Sequence, residues 1–157
     1  YPDTARVLRR NFSYIFGDAP ATPGFRPQLT LHEVGQEPFE AGGFRVRPFE
    51  VEHSEQRVMG LRVGDFAYAT DCNAIPKASM EALRGVRVLI IDALRHREHP
   101  SHFTVEQALK GIRELEPERA YFTHTTYDLE YHETNRKLPA GVEMAYDGLT
   151  FEIRAEE

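Results

Sequence analysis

Three polar side chains stand where strands give out. His53 closes "FRVRPFEVEH", Asp71 follows "FAYAT", and His124 closes "RAYFTH". Two imidazoles and a carboxylate make a borderline-soft donor set suited to zinc, manganese or iron. Strand ends are where loops converge and where a rigid sheet holds side chains in place. Taken one at a time these residues prove little. A lone histidine at a strand end more often bonds its own neighbourhood, and an aspartate there commonly caps a turn. The segment "HREHPSHF" adds His96, His99 and His102 at three-residue spacing. Pro100 and the cap at Thr104 put that segment in a loop, so His96 and His99 read as solvated. His102 lies just before a capped helix, where the chain is well fixed, and is the best placed general acid or base. Asp92 also ends a strand and reads as a support behind the site or a loop anchor. Cys72 reads as a small packing residue beside the site, and His32 and His132 as surface residues.

Positioning these groups takes a sheet with helical cover. Residues 3–15 carry Val7, Leu8, Phe12 and Ile15 at helical spacing, and "GDAPATPGFRPQ" reads as a loop. Leu29 and Leu31 suggest a short strand. "FRVRPFEVEH" alternates but changes parity at Pro48, which predicts an edge or a bulge. A hairpin follows, with Gly64-Asp65 as its turn. Pro76 opens a short helix carrying Met80 and Leu83, stopped at Gly85. "VRVLIID" is a continuous apolar run, the mark of a strand covered on both faces. Thr104 and Gln107 form a capping box ahead of a stripe of Val105, Ala108, Leu109, Ile112 and Leu115. "VEMAY-DG-LTFEI" predicts a closing hairpin. Hairpins first and β-α-β units after predict an α/β layered fold.

Composition narrows the classes. The chain has 157 residues, one domain's worth, with 41% hydrophobic and 28% charged residues. Its net charge of −6 argues against nucleic acid as the partner. A single cysteine allows no internal disulfide and points to a reducing, cytoplasmic setting. No apolar run approaches the ~18 residues of a membrane span.

The order of His53, "YATD" with Asp71, "ALRHREHPSHFTVEQAL", and "YFTHTTYDLEYH" with His124 resembles the metallo-β-lactamase superfamily. Within it, the likeness is to the phosphodiesterase branch, such as the phosphoribosyl cyclic phosphodiesterases. It is dense over about residues 50–153 and loose before them. The resemblance implies an α/β four-layer αββα sandwich around two divalent metal ions, zinc or manganese. It implies that His53 completes the first metal site, Asp71 bridges both ions, His124 holds the second, and His102 lies near the leaving group. A small-molecule phosphodiester is the implied substrate. Water activated between two cations ~3.5–4 Å apart would be the nucleophile, with His102 as general acid.

One departure is large. The superfamily's H-x-H-x-D-H motif, source of four further ligands, is absent from this sequence, and Tyr127 stands where relatives often carry histidine. The expectation is that residues 1–157 form the C-terminal part of one such domain, with its N-terminal portion missing. Such a chain should need that missing segment, or another copy of itself, beside it, and should hydrolyse little alone. Two alternatives stay open: a hydrolase of a thioester, lactam or lactone in the same superfamily, and a non-catalytic binding fragment with an incomplete metal site.

Overall fold

The computed structural model describes residues 1–16, 27 and 29–154, which divide into units 1–37 and 38–157. In the first unit, α1 (Pro2–Asn11) carries Asp3 in its first turn and Arg9 and Arg10 in its last. That order suits the helix dipole. The single helix expected over 3–15 is broken at Phe12, and Ser13–Phe16 forms a separate turn, α2. Leu29 and Leu31 form no strand. Leu29 is exposed, and two apolar residues without a pairing partner do not offset the entropy of extension. Apart from Pro27, the loop expected over 17–28 lies outside the described residues.

The second unit is built on one seven-stranded mixed sheet in the order β1-β2-β3-β4-β5-β6-β7. The strands are β1 (Phe39–Ala41), β2 (Phe44–His53), β3 (Gln56–Val63), β4 (Phe66–Ala69), β5 (Val88–Asp92), β6 (Arg119–Thr123) and β7 (Val142–Met144). The first three pairings are antiparallel and the last three parallel. It follows that β2, β4, β5 and β6 run the same way and end on the same edge. The helices are α3 (Lys77–Ala82), α4 (Val105–Leu115) and α5 (Tyr131–Lys137). This is the α/β class; a second sheet of a four-layer sandwich is not among the described residues.

The pairing explains the sequence pattern and corrects two readings. The β2–β3 register runs without interruption from Val46↔Val63 to His53↔Gln56, so Pro48 makes no bulge. It sits just past the short stretch where β1 pairs, the edge position expected, where no strand among the described residues uses the missing N–H. The parity change is a change of buried face: Val46 is buried on one side, Phe49 and Val51 on the other. Gly60 lies opposite Phe49, and a Cβ there would meet the Phe49 ring at 2.3 Å. Gly64-Asp65 makes the two-residue turn, with Val63 paired to Phe66. The closing hairpin does not form. β7 pairs with β6, and Phe151 leaves to stack on Tyr121 with ring centroids 5.6 Å apart. The backbone N–H of Arg154 donates to Asp65 Oδ1 at 2.8 Å.

One face of the sheet carries the core. Val51, Ala67, Ala69, Leu89, Ile91 and Phe122 pack there with Leu83, Ala108 and Ile112 from the helices. The capping box of α4 is present in both directions, Thr104 with Gln107. Glu116 ends that helix in the left-handed region before Pro117. No helix of the described residues is long and apolar enough to cross a membrane.

Candidate active site

The sheet delivers its polar residues to one edge. His53 is the last residue of β2, Asp71 lies two past β4, Asp92 ends β5, and His124 follows β6. The β5–β6 register sets Asp92 opposite Thr123, immediately before His124. His124 takes φ 57°, a left-handed conformation uncommon for any residue with a Cβ. Such conformations persist where the surroundings impose them, and they gather at functional sites.

Loops close over this edge. The Asp71–Pro76 segment folds back on β2, where Asn73 N–H donates to Glu52 O at 2.8 Å and Ser54 N–H to Asn73 Oδ1 at 3.0 Å. The histidine-bearing loop then docks on that segment. Phe103 N–H donates to Cys72 O at 2.9 Å, and Leu94 N–H to Phe103 O at 2.9 Å. These bonds swing His102 inward from the start of α4.

Four predicted residues meet there. Asp71 Oδ1 lies 3.3 Å from His124 Nε2 and accepts from Thr70 Oγ1 at 3.2 Å. Donor atoms of Asp71, His102 and His124 all fall within 4.8 Å of one another. His53 joins through His102, Nε2 to Nε2 at 3.3 Å, with ring centroids 4.7 Å apart. The tightest group therefore contains His102 where His53 was expected. Behind it, Asp92 Oδ2 accepts from His102 Nδ1 at 2.7 Å and from Cys72 N–H at 2.9 Å. With Nδ1–H given to Asp92, Nε2 is the nitrogen that His102 turns toward the group. Burial pushes the Asp92 carboxyl up, opposed by the hydrogen bonds from His102 and Cys72.

The remaining histidines separate by role. His99 stays at the margin, its ring 4.9 Å from that of His102 and its Nδ1 bonded to Ser101. Partial burial, then the neighbouring charge of His102, lower its pKa. His96 is exposed and lines a pocket of about 380 Å³ with Tyr127, Val105, Leu109 and Leu138. His32 and His132 are on the surface. Cys72 is fully buried, and burial pushes its thiol pKa up, so it offers no nucleophile. The sequence missed the Asp92–His102 pairing itself; strand-end position was the one signal for Asp92.

One carboxylate and three imidazoles fit a divalent cation of the zinc or manganese kind. Bonds of about 2.0–2.2 Å to a common ion put two ligand atoms roughly 3–4 Å apart, as the 3.3 Å between Asp71 Oδ1 and His124 Nε2 allows. The Asp71 and His124 side chains are 46% and 43% exposed, open to such an ion.

Residues 1–125 match the model of the β-lactamase superfamily domain, and the chain belongs to that family. A crystal structure of a diphosphatase from the PhnP family is 43% identical, covering 93% of this chain and 53% of that one, with a TM-score of 0.84. The metallo-β-lactamase fold protein YhfI of Bacillus subtilis is 17% identical over 76% of this chain and 54% of its own, with a TM-score of 0.63. The short form of human tRNase Z is 20% identical over 74% and 44%, with a TM-score of 0.56. These last two share the fold. A protein of Porphyromonas gingivalis named octanoyltransferase is 33% identical over 145 residues, 90% of this chain but 29% of that protein. The chain thus spans about half of the diphosphatase and under a third of the octanoyltransferase.

Proposed function

We propose that the whole protein is a metal-dependent hydrolase of phosphodiesters or diphosphates in small molecules. The observation that carries this reading is the meeting of Asp71, His102 and His124, with His53 against His102, on the carboxyl edge of the sheet. The 43% identity to a PhnP-family diphosphatase supports the substrate class. In this reading His53, Asp71 and His124 would hold the divalent cations. Bound cations lower the pKa of water and neutralise charge building on phosphoryl oxygens. These three residues do not fill even one four-ligand coordination sphere, so two cations would need further ligands from elsewhere in the protein, from a segment outside these residues or from another copy. His102 presents Nε2–H to the departing oxygen and gives it the proton.

Acyl transfer is the weaker reading. The octanoyltransferase match covers under a third of that protein, and the buried Cys72 thiol cannot serve as an acyl acceptor. The test is hydrolysis by the full-length gene product loaded with zinc or manganese. Alkyl phosphodiesters and diphosphates should turn over, with loss on chelation and recovery on adding metal. Turnover of a thioester or lactam in preference to both phosphorus substrates would overturn the reading.

A further inference from the structure

Asp92 does more than a loop anchor needs. It ends the apolar run of β5 and is completely buried. One oxygen, Oδ2, takes both the His102 Nδ1 proton at 2.7 Å and the Cys72 backbone N–H at 2.9 Å. Its other oxygen, Oδ1, is buried without a hydrogen-bond partner among the described residues. A carboxylate placed only to tie loops would be expected to spend both oxygens on backbone N–H groups, because an unpaired buried acceptor costs stability. Here the one shared oxygen joins the residue after Asp71 to the ring of His102. The acid and the candidate bridging ligand are thereby fixed relative to each other through a single atom.

We infer that Asp92 is a positioning residue for the reaction: it holds His102 with Nδ1–H turned inward and Nε2 turned to the substrate. The inference rests on the phosphodiester reading for its chemistry, though not for its geometry. Hydroxide from water adds to phosphorus as the bond to the leaving oxygen breaks, and that oxygen keeps the electron pair. It takes the Nε2 proton of the His102 imidazolium, leaving neutral imidazole whose Nδ1–H still donates to the Asp92 carboxylate. His102 regains its proton from the water that supplied the hydroxide, so one water is consumed per bond cleaved. A carboxylate here accepts from Nδ1–H and so fixes the orientation of the ring and, after transfer, its tautomer. A neutral amide at the same place can turn its NH2 toward Nδ1 and so no longer guarantees an acceptor there.

The experiment compares wild type, Asp92→Asn and His102→Ala in the metal-loaded full-length gene product. Two substrates are used, an alkyl phosphodiester and a p-nitrophenyl phosphodiester, whose leaving group departs without a proton. Removing general acid help costs about 10²–10⁴-fold. Asp92→Asn should therefore lose at least about tenfold more rate on the alkyl than on the nitrophenyl ester, with metal content retained. Adding it to His102→Ala should cost little more. The second readout is the nitrogen NMR spectrum of His102. Wild type should show the neutral ring as the Nδ1–H tautomer, and Asp92→Asn should lose that bias. Equal losses on both esters, or a wild-type Nε2–H tautomer, would overturn the inference. If wild type cleaves neither ester, the phosphodiester reading fails, and the tautomer comparison alone decides the positioning role.

Discussion

Two Asp–His pairs share the site and are held in opposite ways. Asp92 and His102 are bonded at 2.7 Å, their side chains 0% and 11% exposed. Asp71 and His124 approach to 3.3 Å with 46% and 43% exposed. The first pair is a charge-assisted contact inside the fold, set when the chain folds. The second faces water, where such a pair contributes little to stability. Stability gives no reason to hold His124 at positive φ beside Asp71. The difference teaches that one pair is arranged by the protein, while the other, in the proposed function, is offered to a metal.

The largest expected effect is on the exposed half. Asp71→Ala should cost more than the ~10–100-fold in metal affinity typical of losing a mere supporting partner. Metal content after dialysis would check it, with folding unchanged because the pair is exposed. Gly60→Ala should cost about 1–3 kcal/mol, since the new methyl overlaps the Phe49 ring of the strand that leads to His53. Urea midpoints would measure this. Thr104→Ala loosens the buried half two residues from His102 by removing the helix cap. The expected cost is about 0.5–2 kcal/mol, again read from the urea midpoint.

The smallest effect lies at the far edge of the sheet and serves as a control. Partial burial of Asp65 pushes its pKa up, but the Arg87 side chain and the Arg154 N–H outweigh that and hold it below the ordinary value. A depressed carboxyl contributes stability that is present above its unfolded value, near 3.9, and lost as pH falls through the folded one. Asp65→Asn should therefore flatten the acid side of a stability profile, followed by urea midpoints from about pH 5 downward. Turnover at neutral pH should not change.

Much of this was legible in the sequence, for local reasons. The β5 run, the Gly64-Asp65 turn and the α4 capping box are written in adjacent residues and appear where expected. α5 was not foreseen, because "YHETNRK" has a single large apolar residue and no stripe. The closing hairpin was misread because Asp147-Gly148 signals a turn locally, while the partner of Phe151 is Tyr121, far back in the chain. The strand-end positions of His53, Asp71 and His124 were legible. Their arrangement was not, since His102 reaches Asp92 through a loop whose docking depends on Cys72 and Phe103.

The division between the halves is tested most directly by the metal content of the full-length gene product carrying His102→Ala. If His102 is the acid set by Asp92, metal per chain should equal wild type while turnover of an alkyl phosphodiester falls by about 10²–10⁴-fold. Loss of metal together with turnover would make His102 a ligand, and the two halves of the site would be one.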